Sequence, residues 1–224
     1  MEKTVIEKKV SVILEELPPS VELVGAVKMR TVEEVFAGIR GGLNIIGHNY
    51  IQQAEAMFPV VGNKVKWHLI GHLQKNKAKK AVSIFDMIET LDSFSLAEAL
   101  ERHCENLGKV MPVLIEVNSG EESNKTGVMP EDVESLVRRV LQLSHIRVKG
   151  LMTMGPRFGS PESARPYFRL TREIFGRLSK ENMPNVEMHY LSMGMSNTYK
   201  IAIEEGANLV RIGTGLFGER KQGA

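Results

Sequence analysis

At 224 residues with a formal net charge of +2, the chain is long enough for one full core and too weakly charged to require a nucleic acid or an anionic membrane as partner. A single cysteine excludes a disulfide framework. No stretch approaches the roughly 20 apolar residues of a membrane span. The expectation is one cytoplasmic domain over residues 1–224.

In chain order, an amphipathic helix comes first, striped by Ile6, Val10, Ile13, Leu14 and Leu17. Short runs rich in Val, Ile and Leu then recur eight times, at 21–27, 44–47, 65–71, 86–91, 112–117, 146–152, 186–191 and 208–217. Helix-period stretches separate them. Val32, Val35, Phe36 and Ile39 form one, closed by Gly41-Gly42; Ser95 and Glu98 have capping-box spacing at the head of another, closed by Gly108. Val133, Leu136, Val137 and Val140 stripe a third, and Tyr167, Leu170, Ile174 and Leu178 a longer one. Cys104 falls among Leu96, Ala99, Leu100 and Leu107, as a core thiol does.

Strand followed by helix, eight times over, predicts an α/β fold: a single closed parallel (β/α)8 barrel of the TIM type with an additional N-terminal helix. Only seven residues, 218–224, follow the last strand, so the front helix is expected to cover the flank that an eighth helix would otherwise fill. The competing open, doubly wound sheet is weakened by the absence of Gly-x-Gly-x-x-Gly after the first strand.

Barrels place their chemistry on the loops after the strands. Lys28 stands there, at the end of an apolar run with no acid near it in sequence. Burying an ammonium costs several kcal/mol unless the charge is compensated or removed. Imine formation with a carbonyl ligand removes it; a lysine head lifted into water is the other solution. The seventh and eighth loops, Ser192-Met193-Gly194-Met195-Ser196 and Gly213-Thr214-Gly215, supply hydroxyls and glycine-turn amides that suit a phosphate. Strand alternation puts Arg211 on the face of Leu209 and Gly213, so if Lys28 points to the axis Arg211 can as well. An inward guanidinium needs an acceptor: a ligand's ring nitrogen, carboxylate or phosphate, or an ion pair with an acid such as Glu116 or Glu187.

No metal site is expected. His68 and His72, four apart on a strand, would lie about 13 Å apart at roughly 3.3 Å per residue. His103 and His145 fall in or beside helices, and His189 reads as a core imidazole. His48 and His72 could approach each other only across neighbouring loops. Lys75, Lys77, Lys79 and Lys80 read as a solvated helix surface, or as a collector of anions toward the mouth.

Several segments together are similar to the pyridoxal phosphate homeostasis family, the YggS and PROSC group, whose domain resembles the barrel of alanine racemase. They are residues 23–28 around the lysine, Ile46-Gly47-His48-Asn49-Tyr50-Ile51-Gln52, and Trp67-His68-Leu69-Ile70-Gly71-His72-Leu73-Gln74-Lys75-Asn76-Lys77. Then follow 117–127 with Ser119-Gly120-Glu121-Glu122-Ser123, Gly150-Leu151-Met152-Thr153-Met154, Leu191-Ser192-Met193-Gly194-Met195-Ser196 and Val210-Arg211-Ile212-Gly213-Thr214. They occur in the family's order across nearly the whole chain. The resemblance implies that Lys28 carries pyridoxal 5'-phosphate as an imine. It also implies that Ser192, Gly194, Ser196, Gly213 and Thr214 hold the phosphate, that Arg211 faces the pyridine nitrogen, and that Asn49 lies near the ring. The chain departs from the family at Val27 (usually Ser), His48 (usually Glu), Gln53 (usually Glu) and Lys75 (usually Ser).

An arginine against the pyridine nitrogen disfavours its protonation and weakens the cofactor as an electron sink. Racemases of this fold bring one base from a separate β-domain, as the resemblance has it, and this chain stops at Ala224. The sequence reading is therefore a carrier of pyridoxal phosphate without turnover, with dependent apoenzymes as recipients. The alternatives are an amino-acid racemase or lyase of narrow scope, and a barrel aldolase acting on a sugar phosphate.

Overall fold

The computed structural model describes residues 3–121, 126–156, 159–181 and 183–219. Helix α1 (Lys3–Glu16) precedes β1 (Glu22–Ala26), α2 (Val32–Arg40), β2 (Ile45–His48), α3 (Ile51–Val61), β3 (Lys66–Leu69), α4 (Ala78–Ile84), β4 (Met87–Leu91) and α5 (Phe94–Leu107). The second half runs β5 (Met111–Glu116), α6 (Val133–Val140), β6 (Ile146–Met152), α7 (Arg165–Leu178), β7 (Val186–Ser192), α8 (Tyr199–Glu204), β8 (Leu209–Ile212) and α9 (Thr214–Phe217). The eight strands are parallel and close in sequential order, β8 returning to β1 with Val24 opposite Arg211.

Alternation along the strands divides the core in two. Val24, Ile45, Ile70, Met87, Leu114, Met152 and Leu209 point to the axis and pack as one cluster. Leu23, Val27, Ile46, Trp67, Leu69, Ile88 and Val210 point outward into the layer beneath the helices. Val27 is thus turned away from the barrel mouth, as its parity with Leu23 requires.

The front helix behaves as expected. Ile6 and Val10 are wholly buried, and a Cβ on Gly41 at the end of α2 would lie 2.6 Å from the Glu7 carbonyl oxygen. Helix α1 therefore packs against α2 and α9, on the flank of the missing eighth full-length helix.

Three local expectations are corrected. The last strand ends at Ile212 rather than 217, because the chain turns at Gly213 into the short α9. Ser95 lies inside α5, whose N-cap is Ser93; the capping box belongs to Thr31 and Glu34 at the head of α2, where each side chain bonds the other's backbone N–H. His189 is exposed on β7, edge-on to Tyr190, and is not a core imidazole. Gly108 does close α5 in the left-handed conformation, and Cys104 is buried, its thiol pushed up to about 11 by desolvation. None of the described helices is long and apolar enough to cross a membrane.

Candidate functional site at the barrel mouth

Beyond β1 the chain makes a tight turn, closed by the Arg30 N–H donating to the Val27 carbonyl at 3.1 Å. Met29 takes the left-handed conformation there, and its N–H donates to Gln53 Oε1 at 3.3 Å. Lys28 is thereby set facing the mouth. It is half-buried, its Nζ 4.9 Å from the centroid of the Tyr50 ring, and no carboxylate among the described residues pairs with it. It lines a cavity of about 530 Å³ together with Asn49, Ser196, Arg211, Gly213 and Thr214. Six of the eight expected site residues are thus brought to one space by four strand ends.

The turns that bound this space are specific in their glycines. The backbone at Gly71 passes so close to Asn49 that a Cβ would lie 2.4 Å from the Asn49 carbonyl oxygen. Gly194 has φ +89, and a Cβ there would meet Ala202 at 2.6 Å. The Gly213 and Gly215 N–H groups both point at Ser196 Oγ, at 3.3 and 3.1 Å, which draws the seventh and eighth loops together. The two N–H groups hold the Ser196 hydroxyl oxygen in place, and Ser196 and Thr214 together line the cavity, an arrangement that accommodates a phosphoryl oxygen. The Met195 N–H is not available for this, since it donates to Thr198 Oγ1.

Arg211 is 3% exposed and reaches the cavity from below. Its Nη2 donates to the Thr153 carbonyl at 2.8 Å, and its Nη1 donates to Ser192 Oγ, which in turn donates to Glu89 Oε2 at 2.6 Å. Glu89 Oε1 meets His68 Nδ1 at 2.7 Å. A polar chain therefore crosses the barrel axis from the mouth toward the opposite end. Burial pushes the Glu89 carboxyl up, but His68, Arg211 and Ser192 outweigh it and hold it below the usual carboxylate range. The ion-pair partner expected from sequence, Glu116 or Glu187, is replaced by Glu89. Its inward parity with Met87, in a strand buried throughout, is the sequence signal that marks it. Ser192 and Gly194 lie behind this wall: Ser192 Oγ is engaged by Arg211 and Glu89, and the Gly194 carbonyl accepts from the Arg211 N–H at 3.0 Å.

His48 is turned away from the site. It is fully buried in the outer layer, stacked on Trp67 with centroids 5.0 Å apart, and neither ring nitrogen has a partner. Desolvation lowers its pKa to about 4. His72 is half-exposed at the mouth and pairs with Asp92 at 3.3 Å, so the two histidines face different sides of the sheet. Lys75, Lys79 and Lys80 are exposed, Lys80 pairing with Glu55. Of the 119–123 motif, residues 122 and 123 lie outside the described residues.

A closed barrel of eight parallel strands with helices between them is the fold of the alanine racemase N-terminal domain. A match to the family described as alanine racemase, N-terminal domain, spans residues 4–221. An alanine racemase from Clostridium difficile 630 superposes with a TM-score of 0.81 at 15% identity, over 96% of this chain and 56% of that one, and shares the fold. The pyridoxal phosphate homeostasis protein of Aquifex aeolicus is 41% identical over 89% of this chain and 87% of its own length. That of Schizosaccharomyces pombe is 35% identical over 90% and 85%. PipY of Synechococcus elongatus PCC7942, solved with PLP bound, is 31% identical with a TM-score of 0.87, covering 95% of this chain and all of that one. The chain belongs to the pyridoxal phosphate homeostasis protein family.

Proposed function

We propose that this protein binds pyridoxal 5'-phosphate as an imine on Lys28 and stores, buffers or delivers it in the cytoplasm to apoenzymes that require it. The observation that carries this reading is the placement of an uncompensated amine, a buried guanidinium and two loops drawn together around the Ser196 and Thr214 hydroxyls on the walls of one cavity. The residues fit the group. Ser196, Gly213 and Thr214 hold the phosphate, Arg211 faces the ring nitrogen, and Asn49 lies along the ring. Gly194 shapes the phosphate turn, and Ser192 holds the Arg211 head in place from behind. When bound, the cofactor supplies the aldehyde; the chain supplies the amine, its orientation by Gln53 and the Met29 turn, and a permanent positive charge below the ring.

The same walls argue for a carrier. Racemisation needs a base on each face of the substrate carbon. Among the described residues lining the Lys28 cavity itself, Lys28 and Arg211 are the ionisable side chains, and a guanidinium keeps its proton; Glu116 and His72 line the adjoining space instead. The expected result is a visible imine band in the cofactor-loaded protein that is absent from Lys28→Ala. Loaded protein in deuterium oxide should leave the α-hydrogen of L-amino acids unexchanged. Rapid, stereorandom exchange would establish a racemase-type enzyme instead.

A further inference from the structure

The mouth has a second lobe. A cavity of about 490 Å³ adjoins the Lys28 cavity and shares Asn49, Ile70, Met154 and Met195 with it. Its chemistry is of the opposite kind. Where the first lobe holds Lys28 and Arg211, the described walls of the second hold no lysine or arginine, and their titratable groups are Glu116 and His72. His72 is engaged with Asp92, so a further acid stands at the rim.

Glu116 ends β5 on the axial face, in register with Leu114, and is only 4% exposed. Its Oε1 accepts the Thr126 hydroxyl at 2.8 Å, while Oε2 meets no donor. A buried carboxylate oxygen without a donor has lost its hydration with nothing in return, and the loss is greater when the group is charged. Burial accordingly pushes the Glu116 carboxyl up, and Asp92 adds to the effect against Thr126, Arg211 and His72. A ligand that brings a positive charge and N–H donors relieves both deficits at once. Nothing in the apolar part of this wall, Ile70, Met154 and Met195, opposes a short alkyl stem.

We propose that the second lobe binds a primary amine as its ammonium, with Glu116 as the counter-charge, and so docks the acceptor of the cofactor beside Lys28. This rests on the cofactor reading above. The step it permits balances without any oxidant or reductant. The docked ammonium gives one proton to the Glu116 carboxylate. The free amine nitrogen bonds to the carbon held by Lys28 as the bond from that carbon to Lys28 breaks, and both remaining protons of the amine pass to the Lys28 nitrogen, which leaves as a neutral amine. The acceptor class is thus a primary amine on a flexible stem, such as a lysine side chain or a small aliphatic amine.

The test uses cofactor-free full-length protein and n-butylammonium as the probe, titrated by calorimetry and by amide shifts at Thr126 and Ser119. Binding to the wild type, at least tenfold weaker in Glu116→Gln, is expected. A second measurement does not depend on a variant folding: the wild type should prefer n-butylammonium to n-butyrate by at least tenfold. Equal binding of the two probes, no binding of either, or an unchanged affinity in a folded Glu116→Gln would overturn the proposal. Amine binding without any imine on Lys28 would sink the cofactor reading and with it the assignment of the amine as acceptor. An imine on Lys28 without amine binding would sink the second lobe alone.

Discussion

His48 and His68 stand on neighbouring strands, both buried, and their surroundings differ completely. His68 points to the barrel axis and joins Glu89, Ser192 and Arg211 in a hydrogen-bonded chain that ends at the Lys28 cavity. His48 points to the outer layer and has only Trp67 and Phe85 beside it. A shift of one residue in parity separates a polar group that supports the site from one that only weighs on the fold. At His68 the axis supplies a buried polar group with partners, and at His48 the outer layer supplies none.

Breaking the axial chain should have the largest effect. Glu89→Ala leaves the Arg211 guanidinium buried without its counter-charge, and removal of one partner of a buried pair costs about 3 to 5 kcal/mol. Urea unfolding should show a loss of that size; a loss below about 1 kcal/mol would mean that Arg211 is balanced by another group. The outer layer should reveal itself through pH. A histidine with a folded pKa near 4 and an ordinary value of 6.5 binds its proton in the unfolded chain first. Its contribution is complete above pH 6.5 and is lost as pH falls to about 4, on the order of 3 kcal/mol in all. His48→Phe keeps the stacking and should flatten stability measured across that window, whereas a slope equal to the wild type would place the acid sensitivity elsewhere.

Smaller effects sharpen the contrast between the cavity walls and the surface. Ser196→Ala removes one hydrogen bond to a charged acceptor, worth about 1.5 to 3 kcal/mol, so retention of pyridoxal phosphate should weaken by roughly ten- to a hundredfold in equilibrium dialysis. Unchanged retention would move the phosphate away from this turn. Lys80→Ala breaks an exposed pair with Glu55, which should cost less than about 1 kcal/mol and leave cofactor retention unaltered.

Much of this was legible before any coordinates. Short runs rich in Val, Ile and Leu, separated by helix-period stretches, located all eight strands, and the positions of Lys28, Asn49, Ser196, Arg211, Gly213 and Thr214 at strand ends brought them to one cavity. The misreadings are local and physical. Ser95 and Ser93 offer the same hydroxyl two residues apart, and only backbone geometry selects the cap. Leu216 and Phe217 are apolar and extend the run at 209–212 on paper, but Gly213 turns the chain out of the sheet. Glu89 was passed over because a lone acid in an apolar strand has no partner visible in sequence: His68, Ser192 and Arg211 come from three other strands. Parity ties them together, since all four are axial positions.

The most direct test of the account is borohydride reduction of the protein loaded with pyridoxal phosphate, followed by peptide mapping by mass spectrometry. The account predicts a single phosphopyridoxyl group on the peptide carrying Lys28, formed in the native protein and lost on unfolding before loading. A native protein in which Lys28 stays unmodified, or is labelled no more than the exposed Lys75, Lys79 and Lys80, would contradict it.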